Sequence, residues 1–287
     1  MDLHDHGLAS DLEMMRQQAF ERRQVLRWLL AGAATLPLMS CGGGSDASGT
    51  AASGGVTGTS GGAGSVTIPT AGACTVIPEE TGGPYPADGT NTNGGSIINV
   101  LNQSGVVRSD IRASFNGATG VAAGVPLTIN LQLLNASGGC ASLAGYAVYL
   151  WHCDRDGLYS LYSSGVTAQN YLRGVQETDS AGNLAFTTIF PGCYAGRMPH
   201  VHFEVYPSLV KAASAANRIK TSQFTFPMAT LNEAYAASGY TASVRNLAQI
   251  SYATDNVFAD GTSLQMATVT GNATDGYVVT LTVAVNG

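Results

Sequence analysis

Two histidines in one short stretch stand at a spacing that could bind a metal ion. His200 and His202 open HVHFEVY, residues 200–206, whose β-branched and aromatic side chains are typical of a strand. Because side chains i and i+2 of a strand lie on one face, we expect the two imidazoles to project side by side. Such a pair alone is more often two exposed or hydrogen-bonded histidines than a metal site.

Two tyrosines nearby supply a second kind of donor atom. Tyr194 lies in the Gly- and Pro-bounded loop PGCYAG, and Tyr159 follows the turn DRDG. A phenol needs a nearby cation to lower its pKa far enough for ionisation near neutral pH. Two imidazoles and two phenolates suit a hard, redox-active ferric ion better than zinc, although a zinc or copper site remains the competing interpretation. Taken singly, each tyrosine is more often a core residue with a hydrogen-bonded hydroxyl.

Short strands are the elements that must position these side chains. Turn signals such as DRDG, SAGN and DG separate the apolar runs, and helix signals are confined to the Ala-rich stretches 209–217 and 229–237. The composition predicts an all-β fold, an antiparallel β-sandwich core with long active-site loops and little helix. The predicted strands are residues 126–135, 147–154, 184–190, 200–206, 222–226 and 277–285.

Composition divides the chain into three parts. Residues 1–40, with Arg22-Arg23 before an apolar run that ends at LMSC, are typical of a twin-arginine, lipoprotein-type signal peptide. Cys41 is then the lipidated residue; the alternative is a short amphipathic helix with a chance Arg pair. Residues 41–73 are rich in Gly, Ser and Thr and predict a flexible linker. Residues 74–287 have the length of one folded domain.

The net charge bears on the binding partners of the chain, and the predicted signal and the cysteines bear on its cellular compartment. The formal net charge of −6 argues against a nucleic-acid partner, which requires a basic surface. The signal predicts an exported protein, a periplasmic or cell-envelope lipoprotein whose only membrane contact is the lipid on Cys41. In that oxidising setting one or two disulfides are expected, with three pairings open, among Cys74, Cys140, Cys153 and Cys193.

Three blocks in order along the chain resemble the intradiol ring-cleavage dioxygenases, most closely their exported protocatechuate 3,4-dioxygenase-like members. The blocks are CTVIPEETGGPY, VYLWHCDRDGLYSLY and YLRGVQETDSAGNLAFTTIFPGCYAGRMPHVHFEVY, and the resemblance covers most of residues 74–287. It implies one Fe(III) per chain, with Tyr162 as a rival for the first tyrosine because YSLY holds two candidates. The implied iron ligands are Tyr159, Tyr194, His200 and His202.

The same resemblance implies the reaction. The chain would be a non-haem Fe(III) oxidoreductase that cleaves a catechol-type ring with O2 to a muconate-type diacid. Arg197 would stabilise developing charge, and Tyr194 would be displaced by the substrate. Tyr85 and Gln223 are candidate substrate contacts, whereas Arg173 and His152 are expected to have structural roles. The alternative is a lipid-anchored β-sandwich binding module of the same ancestry without catalysis, and a homo-oligomer is compatible with either.

Overall fold

The computed structural model describes residues 75–287, and the predicted signal peptide, linker and lipidated Cys41 lie outside these residues. Two short helices, α1 (Met228–Ala234) and α2 (Thr241–Leu247), and two 3-10 turns accompany the strands. The strands are β1 (Asp88–Asn93), β2 (Ser96–Asn99), β3 (Pro126–Asn135), β4 (Ala141–Ser142), β5 (Ala147–Trp151), β6 (Arg173–Glu177), β7 (Asn183–Ile189), β8 (His200–Tyr206), β9 (Lys220–Thr225), β10 (Thr268–Asn272) and β11 (Gly276–Val285).

The larger strands form two sheets. One sheet has the order β10-β11-β3-β4, with β7 also paired to β3, and the other has the order β6-β5-β8-β9. β1 and β2 form a separate antiparallel pair. The predicted all-β fold with little helix is confirmed. One pair departs from the antiparallel prediction, because β11 returns from the far end of the chain to lie parallel to β3. A parallel pair needs a long crossover, and residues 136–275 provide it.

The hydrophobic core lies between the two sheets. Alternate side chains of β3, including Leu127 and Ile129, are buried against it, as period-two alternation requires. Val201 and Phe203 of β8 enter the same hydrophobic cluster from the second sheet. This face-to-face packing is that of a β-sandwich.

The second sheet is also covered on its other face. Every residue of β5 and β8 is buried, which a strand with one solvated face would not show. On the far face Tyr149 and Trp151 pack with Val100 and with Tyr159, which come from other parts of the chain. His200 and His202 alternate with Val201 and Phe203 and therefore lie on this covered face.

The cysteines form fewer disulfides than the maximum expected. Cys140 is disulfide-bonded, whereas Cys153 and Cys193 are buried free thiols. Burial raises the pKa of both thiols, that of Cys193 to about 12. Both therefore stay protonated at neutral pH. Within residues 75–287 no helix is long and apolar enough to cross a membrane.

Candidate metal centre

His200 and His202 lie side by side on β8. Their Nε2 atoms are 3.0 Å apart, and each residue is 2 % exposed. The ring of His202 stacks on Trp151 of the neighbouring strand β5, with ring centroids 4.8 Å apart and planes within 2° of parallel. Two nitrogens bound to one metal at about 2.1 Å and a right angle would be roughly 3 Å apart, so the spacing suits adjacent ligands.

The hydrogen bond at the far side of the His200 ring fixes its tautomer. Nδ1 lies 2.6 Å from the carbonyl oxygen of Met198, and a carbonyl can only accept, so Nδ1 carries the proton. The lone pair of His200 is therefore on Nε2, which faces His202. A backbone carbonyl bound in this way is the usual partner that orients a metal-binding imidazole.

Tyr159 and Tyr194 bring two hydroxyls to the same point. Tyr159 comes from the loop after β5 and its Oη is 3.5 Å from His200 Nε2; Tyr194 comes from the loop before β8 and its Oη is 3.4 Å from the same nitrogen. Tyr162, the rival for the first position, faces elsewhere. Its hydroxyl donates to Asn91 Oδ1 at 2.6 Å and accepts from the Ala87 amide at 2.9 Å.

The four donor atoms fit a bound cation better than they fit one another. His200 Nε2 has one lone pair, yet three polar atoms lie within 3.5 Å of it, so it can accept from only one of them. His202 Nδ1 is buried without a well-formed hydrogen bond, although the Thr81 backbone is close enough to raise its pKa. In residues 75–287 no group of three or more His, Cys, Asp or Glu side chains could hold a metal. Two phenol oxygens and two imidazole nitrogens form a donor set that suits a hard cation.

Burial keeps both imidazoles neutral. Desolvation is the main reason that the pKa values of His200 and His202 lie well below the usual value, and the positive charge of Arg197 lowers both further. A metal ligand must present an unprotonated nitrogen. The two rings are thus in the required state at neutral pH.

Arg197 is held rigidly beside the two tyrosines. It is 2 % exposed, its Nε donates to Asp255 Oδ2 at 3.0 Å, and its Nη2 donates to Gln223 Oε1 at 2.6 Å. Burial alone would lower the pKa of Arg197, but the negative charges of an ionised Tyr194 and of the Asp255 carboxylate together raise it above its usual value. The guanidinium therefore remains charged despite its burial.

Residues 79–86 form a loop at the edge of the site. The Tyr85 ring lies 4.8 Å from that of Tyr159, centroid to centroid, so Tyr85 borders a candidate ligand. Gln223 is fully buried and donates to the Thr81 carbonyl at 2.7 Å. Its amide thus joins the loop to Arg197. Tyr85 and Gln223, the two candidate substrate contacts, both lie at the site. Tyr85 contacts Tyr159, and Gln223 contacts Arg197.

Two residues illustrate what sequence patterns could and could not identify. His152, expected in the core, is 2 % exposed and hydrogen-bonded at both ring nitrogens, to Cys153 O and Thr188 Oγ1. Asp255 was not predicted to have any role, yet it bonds Arg197 from a position 58 residues further along the chain. No local motif marks it, because a single Asp in an irregular segment resembles any turn residue.

The segment that carries the candidate metal ligands is similar to a known protein family. The family model Dioxygenase_C, described as a dioxygenase, matches residues 105–202, a span that contains all four candidate ligands. No curated protein matches the chain.

Among solved structures, an intradiol ring-cleavage dioxygenase from Tetranychus urticae is 23% identical over 74% of this chain and 95% of its own, with a TM-score of 0.56. A second dioxygenase crystal structure is 24% identical with the same coverage and a TM-score of 0.54. The dioxygenase domain of a dioxygenase carbohydrate-binding protein fusion from Streptomyces sp. SirexAA-E is 23% identical over 74% of this chain and 98% of its own, with a TM-score of 0.45. The resemblance expected from the sequence is confirmed: the chain is similar to the intradiol ring-cleavage dioxygenases in the segment that matches the family model and in its fold.

Proposed function

We propose that this protein is a non-haem Fe(III) dioxygenase that cleaves a catechol-type ring with O2 to a muconate-type diacid. The observation that carries the proposal is the approach of three donor atoms to within 3.5 Å of His200 Nε2, beside a buried arginine. The family resemblance supplies the reaction class. One Fe(III) per chain would be held by Tyr159, Tyr194, His200 and His202.

The protein side chains have distinct roles in this proposal. When bound, ferric iron supplies Lewis acidity and a template for a catecholate. His200, with its proton on Nδ1, would present the lone pair of Nε2 to the iron, and His202 Nε2 lies 3.0 Å from that atom on the same buried strand. Tyr194 comes from a loop and is half-buried, whereas Tyr159 is 1 % exposed, so Tyr194 would be the ligand that gives way to a catechol, and its Oη would take the proton of a substrate hydroxyl. Arg197 holds a fixed positive charge where oxyanions develop.

The test is an absorption spectrum with iron quantification on the purified protein, before and after anaerobic addition of catechol. About one ferric iron per chain should give a visible tyrosinate band, because phenolate bound to ferric iron absorbs visible light. The band should shift when catechol binds, and admission of O2 should bleach the shifted band as ring-opened product forms.

The competing interpretations give different results in the same experiment. A zinc or copper site would bind metal without a ferric tyrosinate band. A folded protein that remains colourless and iron-free after ferric reconstitution would contradict the dioxygenase proposal and favour a β-sandwich binding module. A coloured protein whose absorption band does not shift on addition of catechol would contradict the proposed substrate class but would support the ferric site.

We also propose that the protein is exported and anchored through a lipid on Cys41. The disulfide at Cys140 supports an oxidising compartment. Cys41→Ser is expected to move the protein from the membrane fraction to the soluble fraction, because acyl chains contribute about 0.8 kcal/mol per buried CH₂. Cell fractionation measures this, with Ser45→Ala in the linker as the control that stays membrane-bound. Retention of Cys41→Ser in the membrane fraction would contradict the anchor.

A further inference from the structure

Asp255 is a fully buried carboxylate that joins an irregular segment to the candidate site. It lies between α2 and β10 and is 0 % exposed. Its Oδ1 accepts from the amides of Val257 and Phe258 at 2.8 and 3.1 Å, which closes a turn in its own segment. Its Oδ2 accepts from Arg197 Nε at 3.0 Å and from the Met198 amide at 2.6 Å. One carboxylate therefore accepts four hydrogen bonds.

The contact with Arg197 determines which part of the guanidinium remains available. Asp255 takes Nε and Gln223 takes Nη2, so two of the three nitrogens are fixed by buried partners. Nη1 is the nitrogen that makes no hydrogen bond with the described residues. Because the guanidinium is planar, fixing Nε and Nη2 also fixes the direction in which the two N–H groups of Nη1 point.

Asp255 is also linked to the candidate ligand His200, through the backbone of Met198. Asp255 accepts from the Met198 amide, and the carbonyl of the same residue accepts from His200 Nδ1 at 2.6 Å. The residue that orients the His200 ring is thus itself held by Asp255. A shift of this backbone would turn the imidazole, since the Nδ1 hydrogen bond determines ring orientation.

We propose that Asp255 is a positioning residue that fixes the Arg197 guanidinium and the His200 imidazole in one geometry. The proposal rests on the proposed function, and it assigns to Asp255 no contact with substrate or metal. A purely structural Asp255 would attach residues 251–258 to the domain, so its loss would lower stability but leave the turnover of the folded, iron-loaded protein unchanged. A positioning Asp255 changes that turnover.

The test compares Asp255→Asn with Asp260→Asn, an exposed acid in the same segment. Asparagine keeps the shape and the Oδ1 acceptor, but it can present its NH₂ to two N–H donors, which releases Arg197. Turnover per bound iron should fall about 100-fold, the cost of misplacing a catalytic group by about 1 Å. KM should change less, and Asp260→Asn should match the parent protein.

A double variant separates action through Arg197 from an independent effect. Because Asp255 acts partly through Arg197, Arg197→Met with Asp255→Asn should lose less turnover, per bound iron, than the two single losses combined, and the remaining loss measures the route through Met198 and His200. Fully additive losses, or an unchanged turnover in Asp255→Asn, would overturn the proposal.

A second readout needs neither bound iron nor a folded variant at position 255. In ¹⁵N spectra of the metal-free parent protein, the Arg197 Nε–H should give a slowly exchanging signal that is absent from Arg197→Met and unchanged in Asp260→Asn. Rapid exchange of this proton in the parent protein would overturn the proposal. If the signal is protected but no iron binds, the Asp255–Arg197 geometry stands and the proposed dioxygenase function fails.

Discussion

Tyr159→Phe is expected to weaken ferric iron binding severely, whereas Tyr162→Phe leaves it intact. The Tyr159 hydroxyl lies 3.5 Å from His200 Nε2, while the Tyr162 hydroxyl is bonded to Asn91 and Ala87. Loss of a metal ligand should cost more than the roughly 10- to 100-fold in affinity that is lost when a residue hydrogen-bonded to a ligand is replaced. Iron per chain and the intensity of the tyrosinate band measure the difference.

The two variants form a matched pair, since each removes one hydroxyl from a mostly buried ring in the same loop. Tyr194→Phe should resemble Tyr159→Phe in losing intensity from the band. A Tyr162→Phe protein that loses its colour, with Tyr159→Phe unchanged, would mean that the rival tyrosine is the ligand. Equal, undiminished iron in both variants would remove Tyr159 and Tyr162 alike from the metal centre.

The strands that carry the site were predictable because their composition is unusual. HVHFEVY predicted a strand over residues 200–206, and β8 has those bounds. PLTINLQLLN alternates apolar and polar residues because one face of β3 enters the core and the other does not, so β3 also matches its prediction. The His-x-His spacing then placed both imidazoles on one face.

Other elements gave no comparable signal. The sequence of β1, DGTNTN, is entirely polar or glycine and resembles a loop, yet it pairs with β2 over the covered face of the second sheet. The helix α2 has few helix-forming residues but is held by packing, since Ser243 accepts the Cys193 amide and donates to the Arg155 carbonyl. In both cases tertiary contacts override local preference.

Long-range partners were the part of the site that local patterns could not reveal. Arg197 was identified by its place three residues before His200, but its partners Asp255 and Gln223 come from distant segments. Similarly, the apolar run 277–285 predicted β11 without indicating that it would lie parallel to β3. Spacing along a chain constrains neighbours within one element, and it says nothing about which elements meet.

Arg173 is predicted to be the residue whose replacement most destabilises the covered face of the second sheet. It is 1 % exposed, and in residues 75–287 no carboxylate forms an ion pair with it. Its charge is compensated by five hydrogen bonds instead. The acceptors are Ser160 Oγ, Ser160 O, Tyr85 O, Pro86 O and Tyr149 Oη, at 2.9 to 3.1 Å.

Arg173→Met should lower the free energy of unfolding by about 2–6 kcal/mol. Methionine keeps much of the length of the side chain but removes the Arg173 donor from the carbonyls of Tyr85 and Ser160, and each such loss costs about 1–3 kcal/mol. The Pro86 carbonyl still accepts from the Tyr149 hydroxyl at 2.7 Å. That loss is a large share of a typical stability of about 5–15 kcal/mol. The urea midpoint at an unchanged slope measures it. Arg112→Met, which removes an exposed ion pair with Asp110, is the control and should cost less than about 1 kcal/mol.

Arg173 also holds a loop that borders the candidate metal centre. Two of its hydrogen bonds hold the carbonyls of Tyr85 and Pro86, so its loss should release the loop of residues 79–86 from the edge of the metal centre. In the folded Arg173→Met protein, amide hydrogen exchange should accelerate in that loop more than in β8, because local opening needs only the lost contacts. If amide exchange accelerates equally in the loop and in β8, Arg173 stabilises the domain as a whole and does not specifically fix the loop beside the metal centre.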